Sequence, residues 1–88
     1  MELKYILDEK NDAEIELDNP TVAEIMRVEL AKDEEVKFVA WKREQPDSAV
    51  VILAVRTSGK TVRKALKDAA ASIEKQLDKF LSDFKKAK

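Results

Sequence analysis

The side chains able to do chemistry are few in kind in this 88-residue chain, and the missing kinds narrow its function first. There is no His and no Cys, so the commonest general base and the thiolate nucleophile are both absent. The usual zinc sites and all disulfides are excluded with them. The single glycine, Gly59, rules out a P-loop, a dinucleotide fingerprint and the GxxG loop of KH domains. Carboxylates remain. Glu24, Glu29, Glu34 and Glu35 gather around the first predicted helix without acid/base or metal-ligand spacing. The run Asp33-Glu34-Glu35 reads as a solvated helix exit. No residue is assigned a catalytic, cofactor-binding or metal-ligating role, and no cofactor is expected.

Two other groups could bind. Lys60, Arg63, Lys64 and Lys67 cluster near the start of the last predicted helix, where cations oppose the helix dipole. They read either as a docking patch for carboxylates or a phosphate, or as a solvated face with pairing such as Lys64–Asp68. Trp41, placed with Val39 on the less crowded face of a strand, reads either as a base-stacking platform or as a packing residue. The fourth strand adds no aromatic beside it, which an RNA-binding sheet would need. Lys+Arg 17 against Asp+Glu 18 is near balance, unlike a dedicated nucleic-acid binder. A small RNA- or DNA-binding domain using Lys37, Lys42, Arg43, Lys60, Arg63 and Lys64 is the alternative function.

The elements that must position these groups follow from periodicity. Glu2–Asp8 alternates as a strand, with Leu3, Tyr5 and Leu7 on one face. A polar turn, Glu9–Asp12, leads to a second strand over Ala13–Leu17, completing a hairpin. Asn19 and Pro20 suit the cap and first position of a helix running to about Lys32. Its apolar stripe is Val22, Ile25, Met26 and Leu30, and Val28 falls outside it. Val36–Arg43 is the third strand. The turn around Pro46 and Asp47 leads to the fourth, Ala49–Thr57, whose continuous apolar run predicts a central strand covered on more than one side. Gly59 sits where a positive φ is needed.

Thr61–Lys86 then carries apolar residues in steps of three and four: Val62, Ala65, Leu66, Ala69, Ile73, Leu77, Phe80, Leu81 and Phe84. A helix of about 25 residues at 1.5 Å each spans roughly 37 Å. Strands of about seven residues span roughly 23 Å. The helix therefore outruns its sheet. Its first half, to Ile73, is predicted to cover the core. Leu77, Phe80, Leu81 and Phe84 are predicted to form an exposed interface, completed by Val22, Ile25, Met26 and Leu30. The whole chain, 1–88, reads as one α+β domain: a four-stranded, mainly antiparallel sheet with two helices in the order β-β-α-β-β-α. Met1-Glu2-Leu3-Lys4 leads into alternation, so no signal peptide is expected. The longest apolar run, Ala49–Val55, is too short to span a bilayer, and a cytoplasmic location is expected.

Three segments carry a family resemblance. Leu17–Met26 is similar to an acidic–His–Thr–Leu–x–Asn–Leu–aliphatic segment, with Thr21, Val22, Ile25 and Met26 matching in kind. Val36–Trp41 leading to Gln45-Pro46 is similar to Val-x-Phe-x-x-aromatic followed by His-Pro. Thr57-Ser58-Gly59 is similar to Thr-Asp-Gly before a last helix. With these the chain resembles the subunit L family of archaeal DNA-directed RNA polymerase, in the superfamily of the bacterial α amino-terminal domain and the eukaryotic small α-like subunit. It departs from the pattern where Pro20 and Gln45 replace histidines and Glu24 replaces an Asn, and in a shorter loop after Pro46.

The resemblance implies a non-catalytic assembly subunit, not an enzyme by itself. Its helices would pack on those of the α-like D subunit of RNA polymerase, and the heterodimer would be the platform for the large catalytic subunits in transcription. It implies no membrane association and no direct sequence-specific nucleic-acid contact. The isolated chain is expected to homodimerise, or to be poorly behaved, through the same face.

Overall fold

A computed structural model describes residues 3–86. The elements are β1 (Leu3–Asp8), β2 (Asp12–Leu17), α1 (Pro20–Ala31), β3 (Val36–Arg43), β4 (Val51–Thr57) and α2 (Val62–Lys86). Their order is the expected β-β-α-β-β-α, and every strand pairing is antiparallel. The spatial order is β1-β2-β4-β3. The predicted start at Glu2 lies outside the described residues; the other predicted ends hold within two residues, as local hydrogen bonding sets them. Asn19 Oδ1 accepts from the backbone N–H groups of Thr21 and Val22, and Pro20 takes the first helical position. Thr61 Oγ1 accepts from the backbone N–H of Lys64 at the start of α2. Gly59 has φ +97°, the left-handed value its position required.

Both helices lie on one face of the sheet. Ala13, Ile15 and Leu17 of β2 and Val51, Leu53 and Val55 of β4 alternate inward and are buried. Ala23 and Leu30 of α1 and Val62, Ala65 and Ala69 of α2 close over them. Small residues on α2 let its backbone approach the sheet closely.

Two strand expectations need correction. β4 is central, but it is covered on one side only. Its alternate residues Ile52 and Ala54 are merely half-buried on a face that no element among the described residues overlies. A continuous apolar run therefore marks a two-sided strand here, one side of which is open. On β3, the face of Val39 and Trp41 is the one the helices cover, and both side chains pack against the core. Phe38 lies on the open face, half-exposed, with the Arg56 guanidinium 5.9 Å from its ring centre. A β-bulge between Val36 and Phe38 shifts the register at that end of the strand.

The loop joining β4 to α2 is tied to the β1–β2 turn. Asn11 Nδ2 donates to Thr57 Oγ1 at 3.0 Å and to the Lys60 carbonyl at 2.9 Å. The backbone N–H of Val62 donates to the Lys10 carbonyl at 2.8 Å. These bonds fix where α2 starts, and so the line along which its far end leaves the sheet.

Candidate partner interface

The site is built by two helices crossing at the edge of the core. Leu30 of α1 meets Ala65 and Ala69 of α2 in the buried cluster. One polar contact lies beside it. The Glu29 carboxylate accepts from Ser72 Oγ at 2.5 Å, from Gln76 Nε2 at 3.3 Å, and from Lys32 Nζ at 3.2 Å. These bonds, led by the Ser72 hydroxyl, hold the Glu29 carboxyl below its ordinary pKa, so it stays charged.

Beyond that clasp the helices leave an apolar groove of about 500 Å³. It is lined by Ile25 and Val28 from α1 and by Ile73, Leu77 and Phe80 from α2, with Glu24 at its rim. Leu77, Leu81 and the two phenylalanines continue the stripe outward. Phe80 and Phe84 are each 63% exposed, their rings stacked 6.3 Å apart. Exposed aromatics of this size in a contiguous patch mark a contact surface.

Of the eight residues predicted for this face, Ile25, Leu77, Phe80, Leu81 and Phe84 are on the surface. Val22 and Met26 are partly buried and turned toward the core. Leu30 is the correction: it is fully buried and offers nothing to a partner. Leu30 follows Ile25 by five residues, about 140° around the helix, so the two point to different sides. Val28 follows Ile25 by three, about 60° away, and shares its side. Val28 is the member that periodicity missed, and its position off the core stripe was the signal. Ile73, expected in the core, is half-buried and lies in the groove instead.

Glu24 stands at the rim on the position where the subunit L pattern has Asn. Its carboxylate takes a two-bond ion pair from Arg27, at 2.7 and 2.9 Å, and the Trp41 indole N–H at 3.0 Å. The Arg27 bond, followed by that of Trp41, holds its pKa down at about 2. Trp41 is thereby a packing residue beneath α1 rather than a stacking platform.

The basic cluster is largely neutralised. Lys60 Nζ bridges Asp33 at 2.7 Å and Asp68 at 2.8 Å, and Lys64 pairs with Asp68 at 3.0 Å, the predicted i,i+4 contact. Arg63 pairs with Asp8 and lies 4.5 Å over the Tyr5 ring. Among the described residues no group of three or more His, Cys, Asp or Glu is placed to hold a metal ion. No helix there is long and apolar enough to cross a membrane.

Comparison with known proteins gives the same picture. Residues 11–83 match the model of the RNA polymerase Rpb3/Rpb11 dimerisation domain. The chain is 32% identical to DNA-directed RNA polymerase subunit Rpo11 of Methanosarcina barkeri and, equally, to that of Methanosarcina acetivorans. Each alignment covers 99% of this chain and 97% of the relative. The fold matches the crystal structure of DNA-directed RNA polymerase subunit L from Thermoplasma acidophilum with a TM-score of 0.81 and 26% identity. That match covers 97% of this chain and 86% of the other. With its two-helix groove and unburied helix end, this chain belongs to the RNA polymerase Rpb3/Rpb11 dimerisation domain family.

Proposed function

We propose that this chain is the Rpo11-type, or L, assembly subunit of a DNA-directed RNA polymerase, a non-catalytic subunit forming one domain over residues 1–88. It pairs with the polymerase's α-like D subunit through Ile25, Val28, Leu77, Phe80, Leu81 and Phe84, and the pair carries the large catalytic subunits. One observation carries the reading: the distal half of α2 displays two phenylalanines and two leucines that this chain's own sheet leaves uncovered. A contiguous apolar helix face of that composition marks an interaction surface. Family membership supplies the kind of interface. The pairing of Lys60, Arg63 and Lys64 within the chain, and the packing of Trp41 against the core, count against the nucleic-acid alternative.

Co-expression with the tagged D subunit of the same organism tests the reading. The wild-type chain co-purifies with the tag. Leu77→Asp and Phe80→Asp abolish co-purification while leaving the circular dichroism spectrum and unfolding midpoint unchanged. Co-purification that survives both substitutions would refute this interface.

A further inference from the structure

The sheet face turned away from the helices is apolar where an open antiparallel sheet in water would alternate to polar. The strand register lays this face out in rows, in which directly opposed side chains are neighbours. The middle row runs Leu7–Glu14–Ala54–Ala40 across all four strands. The bulge between Tyr5 and Leu7 turns Leu7 onto this face, opposite Glu14. All four members of the row are half-buried. Ile52 and Phe38 continue the apolar surface in the rows on either side. The two alanines leave a depression of about 240 Å³ between Phe38 and Ile52, with Glu14 at one side and Lys42 at the other. That is room for one long side chain.

Charge says what fits. On this face β2 presents three carboxylates. Glu16 has Lys4 opposite it on β1. Asp12 lies 3.8 Å from Arg56, whose guanidinium also covers Phe38. Glu14 has apolar neighbours on both adjoining strands, Leu7 and Ala54, and among the described residues it stands in no ion pair. An arginine meets such a site well: its stem packs over Ala40 and Ala54, and its planar fork reaches the carboxylate from the side away from Lys42. The helices occupy the opposite side of the sheet, so a chain packed on them leaves this face for a different one. We propose that the open sheet face docks an arginine-bearing apolar segment of a large catalytic subunit, with Glu14 as the anchor. This rests on the assembly role proposed above and gives the chain two working sides, helices toward the D subunit and sheet toward a catalytic subunit.

The chain has no cysteine, so Phe38→Cys puts a single thiol on this face. Maleimide labelling of that thiol is compared in the heterodimer with the tagged D subunit and in the polymerase assembled from it. Labelling in the heterodimer and its block in the polymerase are expected. Labelling that proceeds equally in both overturns the inference. So does labelling already blocked in the heterodimer, where D or a second copy would be the cover, or labelling blocked by added RNA instead of by the large subunits. A charge reversal gives the second measurement. Glu14→Lys is expected to leave capture by D intact and to lower the affinity of the heterodimer for the large subunits by about tenfold or more. Glu9→Lys, the same reversal in the β1–β2 turn, is the control. A Glu14→Lys effect no larger than that of Glu9→Lys overturns the anchor. A wild-type chain that D does not capture overturns the assembly role and this inference with it, whereas a captured chain whose open face stays reactive in the polymerase overturns this inference alone.

Discussion

Asn11 does more than its place in a polar turn announces. Its side-chain amide donates to the Thr57 hydroxyl and the Lys60 carbonyl, two groups nearly fifty residues away. Its own carbonyl accepts from the backbone N–H of Thr57 at 2.9 Å. Asn11→Ala removes both donors and leaves the Lys60 carbonyl short of a partner in a partly covered site. A loss of about 1–3 kcal/mol in urea-unfolding free energy is expected. Sequence could not show this, because the turn and the loop it clamps become neighbours only once β2 pairs with β4. Gly59 is the opposite case. It is the one residue type that tolerates φ +97°, and it was legible at once. A Cβ there would also come within 3.0 Å of the Glu35 carboxylate. Gly59→Ala is expected to cost about 1–2 kcal/mol, read from the same urea curves.

At the scale of elements, the two halves of α2 obey one periodicity and meet two fates. Sequence pattern located the helix, its cap and the split near Ile73, because those depend on local spacing and on how far a helix outruns its strands. It could not sort α1. That helix carries apolar residues on two sides, Ala23, Met26 and Leu30 toward the sheet and Ile25 and Val28 toward the groove, and a stripe read from steps of three and four merges them. Unfolding free energies separate the two sides. Leu30→Ala opens a cavity in the core and is expected to cost about 3 kcal/mol. Phe80→Ala removes a larger side chain from a surface position and is expected to change stability by about 0.5 kcal/mol or less. If Phe80→Ala cost as much as Leu30→Ala, the distal helix would belong to the core and not to an interface.

At the scale of the whole molecule, ion pairs are distributed over the surface of the described residues rather than gathered in one place, and the carboxyls within them set the acid limit of the fold. Among the described residues, four carboxyls sit below their ordinary pKa, each with a cation beside it. Glu24 is held by Arg27 and Trp41, Glu29 by Ser72 and Lys32, Asp33 by Lys60 and the Glu35 backbone N–H, and Asp68 by Lys60 and Lys64. A carboxyl whose pKa is lowered on folding stabilises the fold in full above its unfolded value, and loses that contribution as pH falls through the folded value. For Glu24 the window runs from its ordinary 4.5 down to about 2. Lys60 is shifted upward by the same pairs, so its contribution persists through neutral pH and is lost only in strong alkali. The urea midpoint is therefore expected to stay flat from pH 8 to about 5 and then fall steadily to pH 2. Glu24→Gln is expected to lower the neutral plateau slightly and flatten part of the acid slope. A midpoint that rose on acidification would mean that these pairs do not form in the folded chain. The same measurement at raised salt separates them further. Arg27–Glu24 and Lys64–Asp68, being exposed, should weaken with screening, while Glu29, covered by α2 and bonded to an uncharged hydroxyl, should hold its part of the acid slope.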